Sequence, residues 1–208
     1  MIFNAEMVSA ILDGRKTQTR RLLKQATGPS LSVDTVEDSP DVAELSWLYG
    51  DGPGHEVHEH IKLVHCPFGK PGDRIWVRET FGDCGVRLVY RADNDDGAKC
   101  KVERWTPSIH MPRWASRILL EITGVRVERL NGISEAEAEA EGIDMEALAD
   151  SQDCYDCIAD LNMTGRPTAK GAFKYLWESI YGEENWQANP WVWVIEFKVA
   201  PNVQDNPA

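Results

Sequence analysis

The chain has 208 residues, 42% of them hydrophobic and eight of them Trp, a composition that suits a globular protein with a full core and excludes a disordered one. Its 34 Asp and Glu outweigh 22 Lys and Arg, and the net charge of -12 argues against nucleic-acid binding over the whole surface while leaving room for a local basic cleft. No apolar run approaches the ~18 residues of a membrane span, and MIFNAEMVSAILDG carries no basic leader or small-residue cleavage site, so a cytoplasmic protein without membrane contact is expected.

In chain order, NAEMVSAILDG spaces Met7, Val8, Ile11 and Leu12 for a helix, with Asn4 as N-cap and Gly14 as the stop. The basic run GRKTQTRR, residues 14–21, begins where that helix ends. Residues 25–60 are rich in Gly, Pro, Ser and Asp and read as a long irregular insertion with at most one short hairpin. KPGDRIWVRETF predicts a turn into a strand over Arg74–Phe81, and VRLVYRAD predicts a second strand. After a loop with two Pro and two Trp, strands are expected near Arg117–Ile122 and Val125–Leu130. Ser134 and Glu137 then form a capping box, and Gly142 ends that helical turn.

Residues 143–168 form a second variable region, AFKYLWESIYG an amphipathic helix, and NPWVWVIEFKVA the closing strand. In that strand Trp191, Trp193, Ile195 and Phe197 share one face, as in a half-buried strand. No βαβ rhythm, phosphate loop or internal repeat interrupts this order. The expectation is an α+β fold with a small mixed or barrel-like sheet, in one domain over residues 1–200. Insertions fall near 25–65 and 145–168, and residues 201–208 make a flexible tail.

Lys16 and Thr19 lie three apart, so a helical or tight-turn conformation would put them on one side. A threonine hydroxyl becomes nucleophilic only when a base removes its proton, and a lysine is that base only when its pKa is depressed. Like-charge repulsion from Arg15, Arg20 and Arg21 acts in that direction. The alternative is a solvated, cationic helix C-terminus that complements the helix dipole.

Trp76, Trp105 and Trp114, beside Arg74, Arg78, Arg113 and Arg117, suit stacking on a base of single-stranded RNA or on a flipped nucleoside. Arg78 and Glu79 are adjacent on a predicted strand, so one of them looks into the cleft. No DNA-specific motif is present. Five Cys at irregular spacing read as free thiols. His55, His58, His60 and His65 cluster ahead of Cys66, and His65 or Cys66 with Cys154 and Cys157 is the one candidate for a structural zinc site. A single C-x-x-C without a matching pair is a weak signal for such a site, and apart from it no cofactor is expected.

GRKTQTRR matches the G-x-K-x-x-T-x-R signature of the ASCH-domain family at Gly14, Lys16, Thr19 and Arg21. KPGDRIWVRETF, EITGVRVERL, ISEAEAEAEGI and WVWVIEFKV follow in that family's order and span most of the chain outside residues 25–65 and 145–168. With PSIHMPRWASRI, the chain resembles the longer ASCH proteins of tailed-phage and prophage genomes. The resemblance implies a PUA-like fold, a small β-barrel with flanking helices and a cleft for RNA or modified nucleosides. It also implies an amidohydrolase acting on N4-acetylcytidine, with Lys16 as base, Thr19 as nucleophile and Glu141, protonated in an apolar pocket, as the acid for the departing amine. Arg21 or a backbone amide would hold the oxyanion, and Arg15, Arg20, Arg78, Glu79 and Trp114 would line the substrate or RNA site. A non-catalytic binding module and a ribonuclease are the other functions found in such proteins. The two insertions depart from the compact amidohydrolases and leave room for a different substrate.

Overall fold

β10, Trp191–Ala200, runs through the middle of the molecule. It pairs antiparallel with β1, Gln18–Leu22, on one side and β9, Leu119–Arg129, on the other; β5, Arg74–Trp76, adds to β9. The sheet order is β1-β10-β9-β5, which leaves β1 at an edge. The structure is a computed structural model that describes residues 1–26, 31–49, 58–93, 102–150 and 168–201.

The alternation along β10 explains the layers. Trp193, Ile195 and Phe197 enter one apolar cluster, as the spacing predicted, but Val192 and Val194 enter a second cluster on the opposite face. The strand is therefore covered twice rather than half-buried. Each fully buried Val, Ile or Phe contributes ~1.5–3 kcal/mol of transfer free energy, so both coats are held firmly. On the first face lie α1, Ala5–Leu12, and a second antiparallel sheet of β2, Leu31–Val36, β3, Ser39–Tyr49, and β4, His58–His65, in the order β2-β3-β4. On the second face lie α2, Glu135–Ala140, α4, Ala169–Tyr181, and α5, Glu183–Gln187. The short α3, Met145–Asp150, follows α2.

A third small sheet, β7-β6-β8, is built from β6, Phe81–Asp83, β7, Leu88–Tyr90, and β8, Trp105–Thr106. It packs its own cluster of Phe81, Met111 and Ala115. The architecture is α+β with antiparallel sheets. No helix among the described residues is long and apolar enough to cross a membrane.

Several expectations need correction. The region read as irregular supplies three strands, one of them eleven residues long; β4 is exposed along nearly its whole length, Ile61 and Leu63 included, so its apolar residues mark no buried face. The single strand over Arg74–Phe81 is two, β5 and β6, in different sheets. Conversely, the two strands around Gly124 are one continuous β9, with a bulge in its register at Glu196/Phe197 of β10. Cys66 is a buried free thiol, but Cys84 is disulfide-bonded, since irregular spacing along the chain does not limit approach in space. Residues 151–167, with Cys154 and Cys157, and most of the tail lie outside the described residues.

Candidate active site

The basic run is neither helical nor a solvated helix end. α1 stops at Leu12 with no basic residue in its last turn; Gly14, at φ 77°, turns the chain into an extended path that becomes β1. Lys16 forms an isolated antiparallel bridge with Glu141, and the Thr17 N–H donates to the Ala140 carbonyl at 2.9 Å. Residues 125 apart in sequence thus meet through the backbone.

Gly142 makes that approach feasible. It has φ 96°, and a Cβ on it would lie 2.9 Å from the Cβ atoms of both Ala10 and Lys16. Sequence reasoning saw in this glycine only the end of a turn. Its second role, contact without a side chain, has no signature in one sequence.

Lys16 and Glu141 are both buried, at 2% and 4% exposure. Lys16 Nζ donates to Glu141 Oε2 at 2.8 Å and to the Glu141 carbonyl at 2.6 Å. Arg20 Nη1 donates to Glu141 Oε1 at 3.3 Å, so the carboxylate lies between two cations instead of in the apolar pocket expected for it. Arg20 is also within 3.1 Å of Glu128 and 3.4 Å of Glu137. Its guanidinium is an internal member of an ion network, not a free substrate ligand. Burial pushes the Lys16 amine below its ordinary value; Glu141 opposes the fall, and Arg21 and Arg20 add to it.

Thr19 is 3% exposed and faces Ile195 across the β1–β10 ladder, with Arg21 opposite Trp193 on the same face. Arg20, opposite Val194, points to the helical face. The edge of β1 is wrapped by a cavity of about 30 Å³ that touches Thr19, Arg20, Arg21 and Glu141. Met7 of α1 and Leu176, Trp177, Ile180 and Tyr181 of α4 close it. That volume suits one water. A broader depression of about 580 Å³ lies nearby, but Glu139, Asp144 and Glu146 make its lining acidic and neither Lys16, Thr19 nor Glu141 reaches it.

The other predicted residues are dispersed. Arg15 is partly exposed and donates to the Gly142 carbonyl and to Asp13. Glu79 is the member of the Arg78–Glu79 pair that turns inward, at 1% exposure, and takes a bidentate ion pair from Arg117 that continues to Asp93. Burial pushes the Glu79 carboxyl up, Arg117 opposes this, and Asp93 adds to it. Arg78 lies over the Trp76 ring and donates to the Ile109 carbonyl; Arg113 lies over the same ring, and Trp114 is 68% exposed. No group of three metal-ligating side chains occurs among the described residues. The Arg20 partners Glu128 and Glu137 were not anticipated for the site, although Glu137 was visible as a capping residue.

No family model matches this chain, and neither a curated protein nor a solved structure does.

Proposed function

We propose that this chain is an ASCH-type, PUA-like amidohydrolase acting on an acylated nucleoside of the N4-acetylcytidine kind, with Lys16, Thr19 and Glu141 as its reactive groups. One observation carries the reading: a buried lysine with a lowered pKa contacts a buried glutamate at 2.8 Å, and the glutamate shares a cavity with a threonine. A buried ion pair rarely gains stability over an apolar pair of the same size, so stability alone does not account for it.

The pair supplies both proton-transfer groups. Moving one proton from Lys16 Nζ to Glu141 Oε2 turns an ion pair into a neutral amine and a carboxylic acid. The amine takes the Thr19 proton as Oγ1 attacks the acyl carbonyl, and Glu141 protonates the departing cytosine nitrogen. Water then hydrolyses the Thr19 ester, with the proton returned through the same pair. The oxyanion donor follows from strand geometry. The Thr17 carbonyl and Leu23 N–H bond to β10, so the alternating Arg20 N–H points away from the ladder, toward the cavity edge of β1.

An acyl group needs more than the room of one water, so substrate entry requires the side chains of Met7, Leu176 or Ile180 to rotate outward. Glu141 is paired with both Lys16 and Arg20 instead of standing in an apolar pocket, and this favours a second reading, a module that binds a modified nucleoside without turning it over. Incubation with N4-acetylcytidine, followed by chromatography for cytidine, separates the two. Release by the native chain that falls ~10²–10⁴-fold in Lys16→Ala and in Thr19→Ala is expected. Undiminished release in either variant would end the catalytic assignment, and no release by the native chain would leave the binding module.

A further inference from the structure

β4 lies at an edge of the sheet β2-β3-β4, and among the described residues β3 alone pairs with it. Its register against β3 runs from His58 to His65 without a bulge, and no Pro or Gly interrupts it. Such an edge offers a regular row of N–H and C=O groups to another strand. The Cys66 N–H donates to the Asp41 carbonyl at 2.7 Å, so by alternation Val64, Lys62 and His60 turn their backbone groups toward β3. Glu59, Ile61, Leu63 and His65 turn theirs toward the edge. The side chains of these same four residues share the face away from the core, since Val64 on the other face is buried opposite Ala43. All four are exposed, Ile61 at 57% and Leu63 at 56%, and Leu48 of β3, opposite Glu59, adds a further exposed apolar side chain to that face.

This row is complementary to itself. Two copies related by a two-fold axis perpendicular to the sheet keep the same face outward, so Glu59, Ile61, Leu63 and His65 of one copy oppose the same set in the other. With the axis at Lys62, Ile61 stands opposite Leu63 of the second copy and Glu59 opposite its His65, and each pair occurs twice. An axis at Ile61 would set Glu59 against Leu63, and one at Leu63 would set Ile61 against His65, so both mismatch polar with apolar. Each matched pair contributes ~0.2–1 kcal/mol, against a single like-charge contact on the other face between the two exposed Lys62 side chains, whose long stems let the ammonium groups part. Charge favours the same place. At -12 per chain two copies repel, but in β4 Glu59 is the one acid beside Lys62 and three His. We propose that β4 is the interface of a homodimer, in which the two edges pair antiparallel about Lys62 and join two three-stranded sheets into one of six strands. The pairing is reversible, because an eight-residue edge covers less than the ~1,200 Å² at which stable interfaces begin. It is independent of the proposed activity.

Sedimentation velocity over a concentration series tests the interface. The mass is expected to rise from one chain toward two. Leu63→Asp replaces an exposed side chain and acts twice in a symmetric dimer, so it should weaken association by about tenfold or more, with melting curves to check that the variant stays folded. Oxidation with copper phenanthroline reads the register. Opposed residues of a hydrogen-bonded antiparallel pair have Cα atoms ~5.5 Å apart, within disulfide range. The double variant Ile61→Cys, Leu63→Cys should therefore cross-link into a dimer, while the native chain and Ile61→Cys alone do not. A mass of one chain at every concentration, association indifferent to Leu63→Asp, or cross-linking of Ile61→Cys alone overturns the proposal.

Discussion

Two clusters in this protein bury carboxylates against cations, and they differ in what the cation is able to do. Around Glu79, Arg117 grips two carboxylates bidentately, with contacts of 2.7–3.0 Å, and Tyr90 covers its face at 4.0 Å. Arginine keeps its proton at any working pH, so this cluster is a fixed brace that ties β7 and the chain before β9 together. Around Glu141 one of the cations is a lysine whose amine burial has already weakened as a base-holder of its proton. A proton is able to move there, and a cavity stands next to it. Burial and pairing alone do not mark a reactive site; the identity of the cation and the presence of open space do.

The comparison breaks most sharply at Glu141. Glu141→Gln leaves Lys16 and Arg20 in place but removes the proton acceptor, and turnover of N4-acetylcytidine should fall ~10²–10⁴-fold in a folded protein. Circular dichroism alongside the rate measurement separates this from unfolding. Glu79→Ala should instead act on stability, by about 1–3 kcal/mol in a denaturant titration, because half-buried Arg117 loses its buried partner and keeps Asp93. If Glu79→Ala proved harmless, the brace would not be one.

Lys16→Met should cost less than Glu79→Ala, since Arg20 still pairs with Glu141. The unfolded chain holds the Lys16 proton more firmly than the folded chain does, so the group's cost to stability is full below its folded pKa and vanishes as pH rises toward 10.5. The native protein should therefore gain on Lys16→Met as unfolding is measured at increasing pH. Glu137 works in the opposite sense. Burial alone would raise it, but the Ser134 N–H and hydroxyl, Arg20 and Arg126 hold it at about 2 against an ordinary 4.5. Its contribution is complete above pH 4.5 and lost as pH falls toward 2, so Glu137→Gln should converge with the native protein in acid unfolding curves. The smallest expected effect is Ser134→Ala, about 1 kcal/mol from the lost cap.

Local chemistry was readable where it depended on neighbours in sequence. The Asn4 and Ser134 caps, the Gly14 and Gly142 turns, the helix within 169–181 and the apolar face of β10 are all short-range patterns, and each is present in the fold. The three strands of residues 31–65 were not readable. Their polar face is solvated, and the Gly- and Pro-rich composition around them reads as loop. For the candidate site, Lys16 and Thr19 stood out as a pair that a helical or tight-turn conformation would put on one side; the segment is instead extended at a sheet edge, and the side chain that Lys16 contacts is Glu141.

The sequence by itself determined an acidic α+β chain with a basic run that carries Lys16 and Thr19. Only the tertiary structure decided which charges are neutralised. It brings Glu141 to Lys16 across 125 positions, surrounds Arg20 with three carboxylates, and leaves Arg21, Arg78 and Arg113 without an acid among the described residues. The physical reason is that ion pairing and desolvation depend on distances of a few ångströms in space, which sheet order and a glycine's close approach set, and which spacing along one chain does not encode.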